Sequence, residues 1–209
     1  MNCHHCRSGC HTQTASAQRR WRWLWRSPQT PANPLLPPQL PTIALVGSPN
    51  VGKSVLFHAL TGTYVTVSNY PGTTVEITQG QATIGSQTFQ VIDTPGMYSL
   101  LPITEEERVT RDLLIHWPVT LVIHVVDVKN LGRMLPLTLQ LLEAGLPVLL
   151  VLNMIDEAQQ LRLHIQADRL EPQLGIPIVL TAAAQNRGIA ELKTRIANHV
   201  STRRVSTPH

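Results

Sequence analysis

Residues 47–54 read GSPNVGKS, set between the apolar run TIALV (42–46) and the helical pattern VLFHALTG (55–62). The spacing Gly-x-x-x-x-Gly-Lys-Ser, after a short buried strand and before a helix start, is that of a loop that cradles phosphates. Gly47, Gly52 and Pro49 suit a backbone whose N–H groups turn inward as an anion nest, and the helix behind directs its positive dipole end at the same place. Lys53 can then reach the outer phosphates as a point charge, and Ser54 can set a hydroxyl on Mg²⁺. Ser48, Asn50 and Val51 complete the loop, so all of residues 47–54 are expected at a bound nucleotide.

Outward from this loop, apolar runs alternate with helical patterns. TIALVG is a strand, and residues 53–62 are the helix it feeds. QATIGSQTFQVIDTPG (81–96) reads as a hairpin around GSQ ending in a strand at Asp93. TLVIHVVDV (120–128), PVLLVLNMID (147–156) and PIVLTAAA (177–184) are three more near-continuous apolar runs, the mark of parallel strands buried on both faces. PLTLQLLEAG (136–145) is a helix with a glycine stop, ADRLEPQLG (167–175) one that its proline shortens or kinks, and GIAELKTRIANHV (188–200) a closing amphipathic helix. This alternation means an α/β fold: a mostly parallel, doubly wound sheet flanked by helices, with ligands at the carboxyl ends of the strands.

The chain of 209 residues, 43% hydrophobic, suits one domain with an appendage. Its net charge of +4 is unevenly spread. Residues 1–40 hold five arginines (Arg7, Arg19, Arg20, Arg22, Arg26) and no acid, which leaves twelve bases against thirteen acids in the remainder. The body is near neutral, so no nucleic-acid partner is expected. No stretch reaches the ~18 apolar residues of a membrane span. All three cysteines lie in the first ten residues, which fits a reducing compartment.

Other parts of a nucleotide site follow at the ends of later strands. VIDTPG supplies Asp93, placed to hold Mg²⁺ through water, and Gly96, whose lack of a side chain lets a backbone N–H approach the γ-phosphate. NMID (153–156) offers Asp156, a carboxylate able to accept from the ring N–H and exocyclic amine of guanine. Adenine would leave that carboxylate unpaired, and mismatches of this kind discriminate strongly. Asn153 would tie the base loop back to the phosphate loop. In TAAA (181–184), Thr181, Ala182 and Ala183 bring a backbone N–H, that of Ala183, to the base carbonyl.

Taken in order, these motifs resemble the translation-factor-like P-loop GTPases and, more narrowly, the cytoplasmic GTPase (G) domain of the FeoB family of ferrous-iron transport proteins. The narrower likeness rests on NYPGTTVE (69–76), similar to that family's first switch, and PGMYSLLPITEEERVTRD (95–112), similar to its second. NMID, with Met154 where most GTPases have lysine, and the closing LGIPIVLTAAA (174–184) add to it. The thioether of Met154 would cover the base as a lysine stem does. The likeness spans residues 42–200. It implies that Thr73 and Thr74 close over the nucleotide, Thr74 on Mg²⁺, and that Asn50 helps hold a K⁺ that stimulates hydrolysis. Lys53, Thr74 and Gly96 are then the catalytic set for a Mg²⁺-dependent conversion of GTP to GDP and phosphate. Thr94 stands where the family more often has leucine. Met97 stands where signalling GTPases place a water-orienting glutamine, so slow intrinsic hydrolysis is expected unless K⁺ helps. The family further implies a cytoplasmic switch at the inner face of the membrane, regulating a permease domain or subunit for ferrous iron. The chain stops at STRRVSTPH, which reads as a fragment, a split-gene subunit or a free-standing relative.

The expected organisation is an irregular or disordered tail over 1–40, a G domain over 41–200 and a polar tail over 201–209. In the first tail, Cys3, Cys6, Cys10 and His11 offer thiolate and imidazole for Zn²⁺ or iron, although a structural zinc module normally has a second ligand pair further along. RRWRWLWR (19–26) suits contact with an anionic membrane surface, and an Arg-rich, acid-free segment also fits a transit peptide. Two rivals stand beside the main reading: a soluble ribosome- or RNA-associated GTPase, and a non-hydrolysing module that uses nucleotide as a structural ligand. Thr-Val-Glu at 74–76, in place of the Thr-Thr-Arg usual in the ribosomal relatives, speaks against the first.

Overall fold

Five residues, Thr42–Val46, form β1 and are buried without exception. Such a strand needs cover on both faces, and the computed structural model, which describes residues 40–62 and 65–205, provides it. The order along the chain is β1, α1 (Lys53–Leu60), β2 (Val65–Asn69), β3 (Glu76–Ile84), β4 (Gln87–Asp93), α2 (Glu105–His116) and β5 (Val119–Asp127). A 3₁₀ turn (Val128–Asn130) leads into α3 (Leu131–Glu143), then β6 (Val148–Asn153), α4 (Ile155–Gln160), α5 (Ala167–Leu174), β7 (Ile178–Leu180) and α6 (Ile189–Val205).

The seven strands form one sheet in the order β2-β3-β4-β1-β5-β6-β7. β4, β1, β5, β6 and β7 are parallel, and β2 and β3 extend the sheet antiparallel at one edge. Successive side chains of a strand point to opposite faces, so each buried strand feeds two cores. Ile43, Leu45, Ile123, Val125 and Val151 meet Leu56 and Phe57 of α1 and Leu192 and Ile196 of α6. Ala44, Val46, Val122, Val126 and Leu150 meet Val109 and Leu113 of α2 and Leu137 and Leu141 of α3. This is the doubly wound α/β fold expected from the apolar runs.

β2, α3 and α6 depart from expectation. β2 was not foreseen, because VTVSN lies at the sheet edge with four of five residues exposed and presents no buried stripe. It forms by pairing with β3, Val65 opposite Gly80 through Asn69 opposite Glu76. α3 starts five residues before the expected Pro136, which lies inside the helix. α6 runs on to Val205, past the expected boundary at residue 200. The expected tail, with its cysteine and histidine ligands and its Arg/Trp segment, lies outside the described residues, as do the last four positions.

The parallel register puts chemistry at one end of the sheet. Leu45 pairs with Asp93, Val46 with His124 and Asp127 with Asn153, so the loop after β1 emerges beside the ends of β4, β5 and β6.

Candidate functional site

The loop Gly47–Gly52 joins β1 to α1. Gly47 and Ser48 are buried, Pro49 and Asn50 exposed, and Asn50 adopts a left-handed φ of 63°. Gly52, at φ 89°, precedes α1, and a Cβ there would overlap the side-chain amide of Asn153. Lys53 folds back over the loop and donates to the carbonyls of Gly47 and Ser48, both at 3.0 Å. Burial lowers its pKa, against the opposing pull of Asp93. A cation so placed has its stem fixed and its head at the mouth of the nest.

Ser54 Oγ donates to Asp93 Oδ2 at 2.6 Å. The other oxygen, Asp93 Oδ1, is buried with no hydrogen-bond partner. Burial raises the Asp93 pKa, while Ser54, Lys53 and His58 pull it down. A buried carboxylate oxygen left unpaired is costly, and a hydroxyl beside it completes a donor set of the hard oxygen kind that Mg²⁺ prefers. Among the described residues no group of three or more His, Cys, Asp or Glu side chains could hold a metal by itself.

Asn153, at the end of β6, is 3% exposed and makes three hydrogen bonds. Its Nδ2 donates to the Val51 carbonyl at 3.0 Å, and its Oδ1 accepts from Thr181 Oγ1 at 2.9 Å and from the Ala183 N–H at 3.0 Å. One amide therefore joins the phosphate loop to both loops expected to flank a base. Ile155 N–H on Thr181 O, at 3.1 Å, ties those two loops together again. Met154 takes a left-handed φ of 64° ahead of α4, so Asp156 falls in the first turn of that helix. The carboxylate of Asp156 is half-exposed, with Oδ2 receiving Gln185 Nε2 at 2.9 Å.

One expectation needs correcting. The N–H of Ala183 is spent on Asn153 instead of facing outward, and Ala182 exchanges backbone bonds with Arg187, so these small residues build the loop that orients Asn153. Thr74, expected to close on Mg²⁺ when a γ-phosphate is present, lies between β2 and β3. It is exposed in a turn closed by Tyr70 N–H on Val75 O at 2.8 Å, in which Thr73 Oγ1 donates to Tyr70 O at 3.0 Å, and it bonds to neither Ser54 nor Asp93. Gly96 does stand at the phosphate loop: a Cβ there would lie 2.7 Å from Pro49 Cγ. Met97 offers nothing polar, and its side chain is buried in the core at 0% exposure.

The structure also brings in residues that sequence reasoning passed over. Glu107 of α2, 6% exposed, accepts from the N–H groups of Tyr98 and Ile103, bonds that lower its pKa. The local signature Thr104-x-x-Glu107, a capping box, could have marked both this carboxylate and the helix it caps. Lys129 contacts Glu157 and lies near Asp127 at 3.7 Å, an arrangement that raises its pKa. No local signal marks that cluster.

Comparison with known proteins gives consistent matches. The family model described as ferrous iron transport protein B matches residues 41–196. The Fe(2+) transporter FeoB of Salmonella typhimurium is 40% identical over 172 residues, 80% of this chain and 22% of that protein. The chain thus spans about a fifth of the length of that relative. The cytosolic domain of the T. maritima FeoB iron transporter, solved in a GDP form, superposes with a TM-score of 0.76 at 40% identity, over 81% of this chain and 66% of that one. The FeoB G-domain of Methanococcus jannaschii gives a TM-score of 0.68 at 41% identity, over 77% of this chain and 97% of that one.

Proposed function

Because the chain belongs to the ferrous iron transport protein B family, we propose that residues 41–200 are a switch domain that binds GTP, hydrolyses it slowly and regulates ferrous-iron transport at the cytoplasmic face of a membrane. The observation that carries this reading is the Asn153 junction, which holds the phosphate loop and the Asp156 loop at a fixed separation. In it, phosphates enter the nest of residues 47–52 with Lys53 as counter-charge, and Asp156 accepts from the N1–H and N2 amine of guanine. Gln185 must then release the oxygen it holds or share it. Met154 lies beside the base, and Thr181 keeps Asn153 oriented.

Ser54 and Asp93 are the side chains proposed to hold Mg²⁺, directly and through water, and Thr74 joins them by closure of the turn at 70–75. Bound there, Mg²⁺ would neutralise charge on the β- and γ-phosphate oxygens. Gly96 offers its N–H to the γ-phosphate, while Lys53 and the loop amides stabilise the charge that develops as water attacks. Met97 is turned into the core, so no side chain at that position orients the water, and hydrolysis is slow. Asn50, exposed at the tip of the loop, is proposed to lend its amide oxygen to a K⁺. The partner regulated is proposed to be a membrane permease domain or subunit for ferrous iron; no described helix is long and apolar enough to cross a membrane.

Single-turnover GTP hydrolysis in K⁺ and Na⁺ buffers of equal ionic strength tests the mechanism. Turnover should be faster in K⁺, and Asn50→Ala should erase the difference. Equal rates in the two salts would remove the K⁺ assignment, and no hydrolysis in either would remove the enzymatic reading.

A further inference from the structure

The loop from Gly96 to α2 turns Met97 and Leu100 into the core but leaves Tyr98, Leu101 and Ile103 in solvent at 68%, 78% and 92% exposure. Side-chain packing anchors it chiefly at Met97 and Leu100, and hydrogen bonds from two helices hold much of the rest. Glu107 of α2 takes the N–H groups of Tyr98 at 3.1 Å, Ile103 at 2.8 Å and Thr104 at 3.4 Å. Gln140 of α3, through the single atom Oε1, takes the N–H of Leu100 at 2.8 Å and the hydroxyl of Ser99 at 3.1 Å. Ser99 Oγ in turn accepts from the N–H of Leu101 at 3.1 Å, so one carbonyl organises three successive residues.

Gln140 stands on firm support. Around it α3 buries Leu137, Thr138 and Leu141, and Thr138 Oγ1 meets Nδ1 of the buried His124 on β5 at 2.9 Å. Nearby, a cavity of about 270 Å³ is bounded by Ser48, Pro49, Tyr98, Arg133 and Met134. On that side the loop borders open space, so its position depends on what bonds it rather than on what it packs against.

We infer that Gln140 is a positioning residue for the hydrolytic reaction: it ties the segment after Gly96 to the rigid α3–β5 unit and so fixes the Gly96 amide against the phosphate loop. The inference rests on the proposed role of Gly96. Met97 N–H bonds Gly47 O at 3.1 Å, so only two residues separate that contact from the Gln140-held Leu100. A donor stabilises developing charge best when it needs no reorganisation at the moment of reaction. Loosening the loop therefore weakens the transition state more than the bound ground state, and kcat falls without loss of affinity.

Gln140→Leu removes the acceptor at similar size, while Gln140→Glu retains an acceptor oxygen. In the full chain, single-turnover hydrolysis, GDP affinity and amide hydrogen exchange at Leu100 are measured for both. Gln140→Leu should speed exchange at Leu100 and lower kcat by about 2–10-fold, the rate equivalent of one net hydrogen bond, with GDP affinity unchanged. Gln140→Glu should restore both exchange and kcat. Unchanged exchange at Leu100 in Gln140→Leu overturns the inference whether or not the chain turns over GTP. An equal kcat loss in both variants overturns it as well. An unmodified chain with no turnover counts against the proposed function, and the exchange measurement still decides whether Gln140 holds the loop.

Discussion

Asn153 and Val51 lie 102 positions apart in the chain and 3.0 Å apart in the fold, joined by a buried side-chain amide on a backbone carbonyl. The oxygen of the same side chain is shared between Thr181 and Ala183. Removing that side chain strands the Val51 carbonyl and the Ala183 N–H in a dry interior, and each such group costs about 1–3 kcal/mol. Asn153→Ala should therefore lower unfolding free energy by a few kcal/mol in urea titration and weaken GDP binding at the same time. A variant that loses stability but binds GDP as before would separate the junction from the nucleotide site.

Gly96 is confined by its neighbour. Gly96→Ala would place a methyl group 2.7 Å from Pro49 Cγ and 3.0 Å from the Pro49 backbone nitrogen. Backbone must yield, so the loop moves away from the phosphate loop and the Gly96 amide with it. The expected outcome is GDP affinity close to the parent's, because GDP lacks the γ-phosphate, with GTP turnover reduced about 100-fold or more, the scale of losing one preorganised donor. Parallel GDP titration and single-turnover assays read both.

Legibility in the sequence followed locality. GSPNVGKS, VIDTPG and NMID could be placed because a fixed spacing and a continuous apolar strand leave one geometry open, and the registers of β1 with β4 and β5 and of β5 with β6 bring them to one end of the sheet. β2 was hidden because an edge strand exposed on both faces carries no period-2 apolar signal. Glu107 was passed over although its local capping motif could have marked it. Gln140 had no such mark, since its bonds to Ser99 and Leu100 span some forty residues and nothing in either stretch names the other. The same limit explains Ala183, whose N–H goes to Asn153 for reasons visible only when both loops are seen together.

Acid should destabilise the domain through two groups of the same sign. Burial, with Lys53 nearby, lowers the His124 pKa to about 3. The folded state thus refuses a proton that the unfolded chain accepts near 6.5. Its neutral form is fully compatible with folding above that value, and stability falls as pH drops below it, by about 1.4 kcal/mol per pH unit. Glu107, held below its usual range by backbone N–H donors, adds a loss that begins only below the ordinary glutamate range. Asp93 acts in the opposite sense, because burial raises its pKa and protonation relieves that cost. Between pH 7 and pH 5 His124 is the group among these whose titration lowers stability. His124 should account for a loss of about 2 kcal/mol over that interval, so the unmodified chain should lose about that much more than His124→Gln, which can still bond Thr138. Urea denaturation at the two pH values makes the comparison, and identical losses would exclude His124.

The central claim is that a guanine nucleotide is read by Asp156, and competitive titration with GDP, ADP and XDP tests it most directly. The unmodified chain should bind GDP at least about 100-fold more tightly than ADP, since adenine leaves the carboxylate unpaired. Asp156→Asn turns a double acceptor into one acceptor and one donor. The C2 carbonyl of xanthine can meet that donor, so the variant should shift toward XDP by ~1–3 kcal/mol at the expense of GDP. Gln185, which bonds Asp156 at 2.9 Å, can equally well face the amide that replaces the carboxylate, so the fold should persist in the variant. Equal affinity of the unmodified chain for GDP and ADP, or an Asp156→Asn variant with the parent's preference for GDP over XDP, would contradict the assignment.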